Sequence, residues 1–96
     1  MYDLTGKVAL ITGSSMGLGK AFALDLARAG ASVVINDPEG GDDAQAALTE
    51  VGSIGRGNTA LVTCDIGDPV SVARMVDTIL ERFKKIDMLR HLTPTT

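Results

Sequence analysis

Four short apolar runs, Val8–Ile11, Val33–Ile35, Ala60–Val62 and Ile86–Leu89, recur at even spacing along the chain, and each gap between them has room for one helix. The first three show no alternation of apolar and polar residues, which is the pattern of strands buried on both faces of a parallel sheet. The gaps carry a helical period instead. In the first, Leu18, Phe22 and Leu26 fall four residues apart with Ala23 and Ala27 alongside, and Gly30 stands where a left-handed helix C-cap is wanted. In the second, Ala44, Ala47, Leu48 and Val51 keep helical spacing after the N-cap candidates Asp42 and Asp43, and Gly52 is expected to end the helix. In the third, Asp68 is the N-cap, Pro69 suits the first helical position, and Val72, Val76, Ile79, Leu80 and Phe83 form the apolar stripe. Gly52 to Gly57 reads as a flexible surface connection.

Alternating strands and helices with right-handed crossovers predict an α/β protein in three layers, its parallel sheet ordered 3-2-1-4. Helices one and two then share one face of the sheet while helix three alone covers the other. That face is expected to be partly bare, and so a place for self-association or for pairing with a longer relative.

Composition sets outer limits. At 96 residues, 45% hydrophobic and 22% charged, the chain suits one ordered domain. Its net charge of −3 and scattered basic residues argue against nucleic acid or an anionic membrane as partner. No apolar run approaches the ~20 residues that span a bilayer, and the one cysteine, Cys64, has no internal partner, so a reducing cytoplasm is expected.

The chemistry concentrates where the first strand meets the first helix, at Thr12-Gly13-Ser14-Ser15-Met16-Gly17-Leu18-Gly19. A strand turning sharply into a helix aims free backbone N–H groups and the positive end of the helix dipole at one spot, which suits a pyrophosphate. Gly13 allows the tight turn, Gly17 keeps side chains out of the way of the phosphates, and Gly19 lets the helix approach the sheet. At the end of the second strand, Asp37 is placed to accept hydrogen bonds from an adenosine ribose and to repel a ribose 2′-phosphate. With Pro38 and Glu39 after it rather than a cation, NAD is favoured over NADP. As a plain turn residue before Pro38, Asp37 has a structural explanation too. After the third strand, Asp65 is the freer of two carboxylates beside an adenine pocket, Asp68 serving as the helix cap.

These residues resemble the short-chain dehydrogenase/reductase family, whose first strand leads into a Thr-Gly-x-x-x-Gly-x-Gly turn. Similar text surrounds it: Leu4-Thr5-Gly6-Lys7, Ala27-Arg28-Ala29-Gly30-Ala31, Cys64-Asp65-Ile66 and Ile86-Asp87-Met88-Leu89. The resemblance implies a partial Rossmann-type NAD-binding domain over residues 1–89 and a divergent tail over 90–96. It implies pyrophosphate contacts at Gly13, Gly17 and Gly19, ribose at Asp37, adenine at Asp65 and Ile66, and Ser14, Ser15, Met16 and Leu18 lining the same loop.

The family's fourth strand runs into Asn-Asn-Ala-Gly, whereas here Arg90-His91-Leu92-Thr93 follows. The family's catalytic Ser and Tyr-x-x-x-Lys pair have no counterpart, the only tyrosine being Tyr2, so no catalytic residue is assigned and no metal site is expected. His91 stands in a polar tail with no partnering acid in the local sequence and is expected to be solvated. The expected function is the NAD-binding portion of an oxidoreductase that moves hydride between NAD(H) and an alcohol or carbonyl. A non-catalytic dinucleotide-binding or interaction module is the alternative.

Overall fold

The computed structural model describes residues 3–13 and 17–91. Its elements run β1 (Val8–Ile11), α1 (Gly17–Arg28), β2 (Ser32–Asp37), α2 (Asp42–Ile54), β3 (Thr59–Thr63), α3 (Pro69–Phe83) and β4 (Met88–Arg90). All strand pairs are parallel and the sheet order is β3-β2-β1-β4, the α/β topology expected. Register is continuous through the two central strands, with Ile11 beside Ile35 and Ile35 beside Leu61.

The sheet has an apolar core on each side. On one, Ile11, Val33 and Ile35 pack against Ala23 and Ala27 of α1 and Ala47 and Val51 of α2. On the other, Val8, Leu10 and Val34 pack against Met75 and Ile79 of α3. Burying each Val, Leu, Ile or Met among these contributes about 1.5–3 kcal/mol, so both faces are needed by a chain this small. The face expected to be bare is largely covered, because the crossover from β3 to β4 carries α3 back over the central strands. The open part of the sheet lies at the β4 edge: Leu89 is 65% exposed, and a groove of ≈ 290 Å³ opens there toward the α1 and α2 side, lined by Phe22, Leu26 and Met88 among others.

Several boundaries move from their expected positions. α2 is capped by Gly41, and Asp42 and Asp43 sit inside its first turn, where their charges favour the positive end of the helix dipole. α2 also runs through Gly52 to Ile54, so the connection to β3 is shorter than expected. β4 extends past Leu89 to Arg90. In α1 the packed stripe is Gly19, Ala23 and Ala27 rather than Leu18, which is 72% exposed; small side chains let the helix axis approach the sheet. In α3 the buried centre is Met75 and Ile79, with Val72 and Phe83 partly buried beside them and Leu80 exposed. The expected caps hold elsewhere. Gly30 takes φ 104° after α1, and Asp68 accepts the Val70 N–H at 3.0 Å before Pro69.

Candidate functional site

The carboxyl ends of β1, β2 and β3 open on one edge of the sheet, and the predicted residues gather there. At the end of β1, Thr12 is buried and Gly13 follows with φ 64°; Gly17, the first residue of α1, has φ 64° as well. A side chain at that φ costs roughly 1–2 kcal/mol, so both glycines answer a backbone demand. Among the described residues, a Cβ on Gly17 would meet nothing within 4 Å. Ser14, Ser15 and Met16, expected to line the loop, lie outside the described residues.

The first turn of α1 is Gly17-Leu18-Gly19-Lys20, without an acid, so the N–H groups and the positive dipole end have no carboxylate of their own turn to answer. That environment fits a pyrophosphate. Gly19 is buried, in keeping with close helix packing, and Leu18 beside it is exposed. Lys20 is drawn away into an ion pair with Glu50 of α2, 2.5 Å apart.

Asp37 ends β2, half-buried. Its Oδ2 accepts the N–H groups of Glu39 at 2.9 Å and Gly40 at 2.7 Å. The turn role and the carboxylate at the sheet edge therefore coexist: the bonds that shape the turn also fix where the charge stands. Beside it opens a pocket of ≈ 280 Å³ with Asp37, Glu39, Asp42 and Asp43 in its lining and no cationic residue among those that line it. The neighbouring Asn36 is buried in an otherwise apolar strand, and its Nδ2 donates to Val62 O at 3.2 Å and Cys64 O at 3.5 Å, tying β2 to β3 just behind the site. A lone amide after a Val-Val-Ile run is the sequence signal for this residue.

Asp65 is exposed at the end of β3. Its Oδ1 accepts the Gly67 N–H at 2.9 Å, and its own backbone N–H donates to Ser71 Oγ at 3.0 Å. Ile66 is half-buried against the α3 core. Asp65 thus shapes its turn as Asp37 does, with the carboxylate at the same sheet edge. Ser71 Oγ also donates to the buried Cys64 Sγ at 3.4 Å, which leaves the thiol in a packing role.

His91 is not isolated. Its Nδ1 lies 2.9 Å from Thr12 Oγ1, which joins the end of β4 to the residue preceding Gly13. Nothing in the local sequence of His91 signals this, because the two residues are 79 positions apart and meet only through the β1–β4 pairing.

Comparison with known proteins agrees with this geometry. A family model described as short chain dehydrogenase matches residues 7–92. Versicolorin reductase stcU of Emericella nidulans is 36% identical over 88 residues, a match that covers 92% of this chain and 33% of the relative. Among solved structures, an NADH-dependent reductase, A1-R', complexed with NAD superposes with a TM-score of 0.83 at 39% identity, covering 92% of this chain and 36% of that one. L-sorbose reductase from Gluconobacter frateurii, complexed with NADPH and L-sorbose, gives 0.88 at 30% identity, covering 97% and 35%. The chain spans about a third of the length of these relatives. With the glycine turn, the strand order and these matches in agreement, the chain belongs to the short-chain dehydrogenase family.

Proposed function

We propose that this chain holds the pyrophosphate and adenosine half of a nicotinamide dinucleotide, NAD in preference to NADP, and that it serves hydride transfer between that cofactor and an alcohol or carbonyl. Residues 1–89 form the binding domain in this reading. Gly13, Ser14, Ser15, Met16, Gly17, Leu18 and Gly19 hold the pyrophosphate, Asp37 the adenosine ribose, and Asp65 with Ile66 the adenine. When bound, the cofactor supplies the hydride or accepts it; the chain's own residues bind and orient it. The acid or base acting on the substrate oxygen is drawn from outside the residues assigned here. Association with a further chain is assigned to the open edge of β4.

One observation carries the cofactor preference: the charge contrast between two neighbouring helix N-termini. The start of α1 has glycines and no acid, while the start of α2 lies beside Asp37, Glu39, Asp42 and Asp43. An anion is favoured at the first and opposed at the second, where a 2′-phosphate would have to sit. Relatives of similar likeness carry NAD in one case and NADPH in another, so the family leaves the choice to these residues.

The test is calorimetric titration of the folded chain with NAD and, separately, NADP. NAD is expected to bind more tightly, and Asp37→Arg to shift preference toward NADP. Asp37→Asn, which keeps an acceptor for the Glu39 and Gly40 N–H groups, separates loss of charge from loss of the turn. Folded protein that binds neither dinucleotide overturns the reading.

A further inference from the structure

Asn36 stands in β2 one residue before Asp37 and is 1% exposed. By strand alternation its side chain shares a face with Val34, on the α3 side of the sheet. An apolar residue would fill such a position freely, whereas an amide is tolerated there only when hydrogen-bonded. Its Nδ2 donates to Val62 O at 3.2 Å and to Cys64 O at 3.5 Å, both on the neighbouring chain segment at the end of β3.

The backbone ladder between β2 and β3 runs out at this point. Val33 N–H donates to Asn58 O at 2.9 Å and Cys64 N–H to Asp37 O at 3.1 Å, with Asn36 beside Val62 and Asp37 beside Thr63. Each step of two residues along β2 brings an N–H to a β3 carbonyl two residues further on, so the N–H of Glu39 would be due at Cys64 O. Asp37 Oδ2 takes that N–H instead, at 2.9 Å, and Gly40, with φ 71°, turns the chain toward α2. The Asn36 amide supplies the rung that the turn removes. Directly beyond it, Asp65 gives its backbone N–H to Ser71 Oγ of α3 and not to β2. β3 is the edge strand of the sheet and pairs with β2, so the amide fixes the last point at which the two strands are joined.

We propose that Asn36 is a positioning residue that sets how strictly the site reads the adenosine ribose: its amide holds the ends of β2 and β3 in register, and so holds the Asp37 carboxylate at a fixed offset from Asp65. This rests on the cofactor reading above. Asn36 lies buried beneath the edge and acts through Asp37, its neighbour in the chain, and Cys64, the residue before Asp65. A carboxylate accepts a hydroxyl well only over a narrow range of distance and angle. An edge free to splay therefore weakens the bond between Asp37 and a ribose hydroxyl in particular.

This role differs from that of an amide serving the fold alone. Loss of a purely structural amide lowers stability and weakens every dinucleotide by the same factor. Loss of a positioning amide changes the ratio between a dinucleotide that offers the hydroxyl and one that lacks it. A hydrogen bond to a charged group is worth about ten- to a hundredfold in affinity, so the ratio has room to fall.

Calorimetric titration of the full chain with NAD, and with NAD lacking the 2′-hydroxyl of its adenosine ribose, reads that ratio, with circular dichroism checking the fold. The parent chain is expected to prefer NAD by about tenfold or more. Asn36→Leu, which keeps the volume and loses both donated bonds, should bring the preference to about threefold or less. Asn36→Ala, which loses the same bonds without adding bulk, carries the same readout where Asn36→Leu does not fold. A folded variant that keeps the parent ratio, or that weakens both ligands by one factor, overturns the positioning role while leaving the cofactor site intact; so does failure of both variants to fold, which makes the amide a requirement of the fold alone. A parent chain that binds NAD without preference overturns the ribose assignment of Asp37 and the role of Asn36 with it. A folded parent chain that binds no NAD overturns the cofactor reading as a whole.

Discussion

Two glycines five positions apart, Gly52 and Gly57, should respond to the same substitution with opposite signs. A Cβ on Gly57 would stand 2.6 Å from Ala31 O and 2.8 Å from both Ala31 C and Ser32 N, all backbone atoms that no rotamer change can move. Relief requires a shift where β2 begins, and the backbone there is pinned. Ser32 N–H donates to Lys7 O at 2.9 Å, Val33 N–H to Asn58 O at 2.9 Å, and Asn58 N–H to Ser32 Oγ at 3.1 Å. Overpacking of this kind costs about 1–3 kcal/mol, so Gly57→Ala should lose about 2 kcal/mol. Gly52 lies inside α2, exposed, and its Cβ would meet nothing nearer than Thr59 at 3.9 Å. Alanine is the better helix residue by about 0.8–1 kcal/mol, so Gly52→Ala should stabilise by close to that amount. At about 4–8 °C per kcal/mol for a domain of this size, the two thermal midpoints should differ by roughly 12 °C or more. Urea unfolding should show displaced midpoints with the slope retained. A neutral or stabilising Gly57→Ala would mean that the segment does not touch β2. A destabilising Gly52→Ala would mean that the helix ends at Gly52, as the bare sequence suggests.

Two further substitutions test how the strand and helix ends are held. Asp68→Ala removes the side chain that accepts the Val70 N–H and should cost about 1 kcal/mol in urea unfolding, with Asp68→Asn recovering most of it; equal losses in both variants would count against the cap. Asp87 accepts the Val8 N–H at 2.8 Å, and that bond, aided by Lys85, holds its carboxyl below the usual range. A carboxyl lowered on folding adds stability that is present above its unfolded value, about pH 4, and is lost as pH falls through the folded one. Asp87→Asn should therefore be less stable than the parent chain at neutral pH, with the gap closing in acid; a gap constant into strong acid would refute the assignment.

Elements fixed by local pattern were legible in the sequence, and contacts that depend on pairing were not. The run Val8–Ile11 followed by Gly13 and Gly17 announces strand, turn and helix, because each residue type answers a demand made within a few positions. Pro69 and Asp68 announce the start of α3 in the same way. Gly57 looked like loop filler, since its constraint is the Ala31–Ser32 backbone, far away in sequence. Asp42 and Asp43 were misread as caps because Asp suits both the cap and the first turn, and only the Gly41 backbone, extended at φ −73° and ψ −162°, separates the two. His91 gained a partner only once β4 was laid beside β1.

The acids misread as caps bear most directly on function. Strands β1 and β2 end side by side, and each hands the chain to a helix whose N-terminus faces the same edge. Dipoles alone would make both ends attractive to phosphate. The side chains break that equivalence. At α1 the first turn, Gly17-Leu18-Gly19-Lys20, carries no acid, while at α2 Asp42 and Asp43 meet the dipole from within the helix, and Asp37 and Glu39 add two more negative charges. In the proposed reading, a dinucleotide laid along this edge has one favourable direction, its pyrophosphate at α1 and its uncharged ribose hydroxyls toward α2. In calorimetric titration, an acid introduced at Leu18 should weaken NAD and NADP alike, whereas making Asp42 and Asp43 neutral should leave NAD little changed and narrow its advantage over NADP, because the two helix starts act on different groups of one ligand.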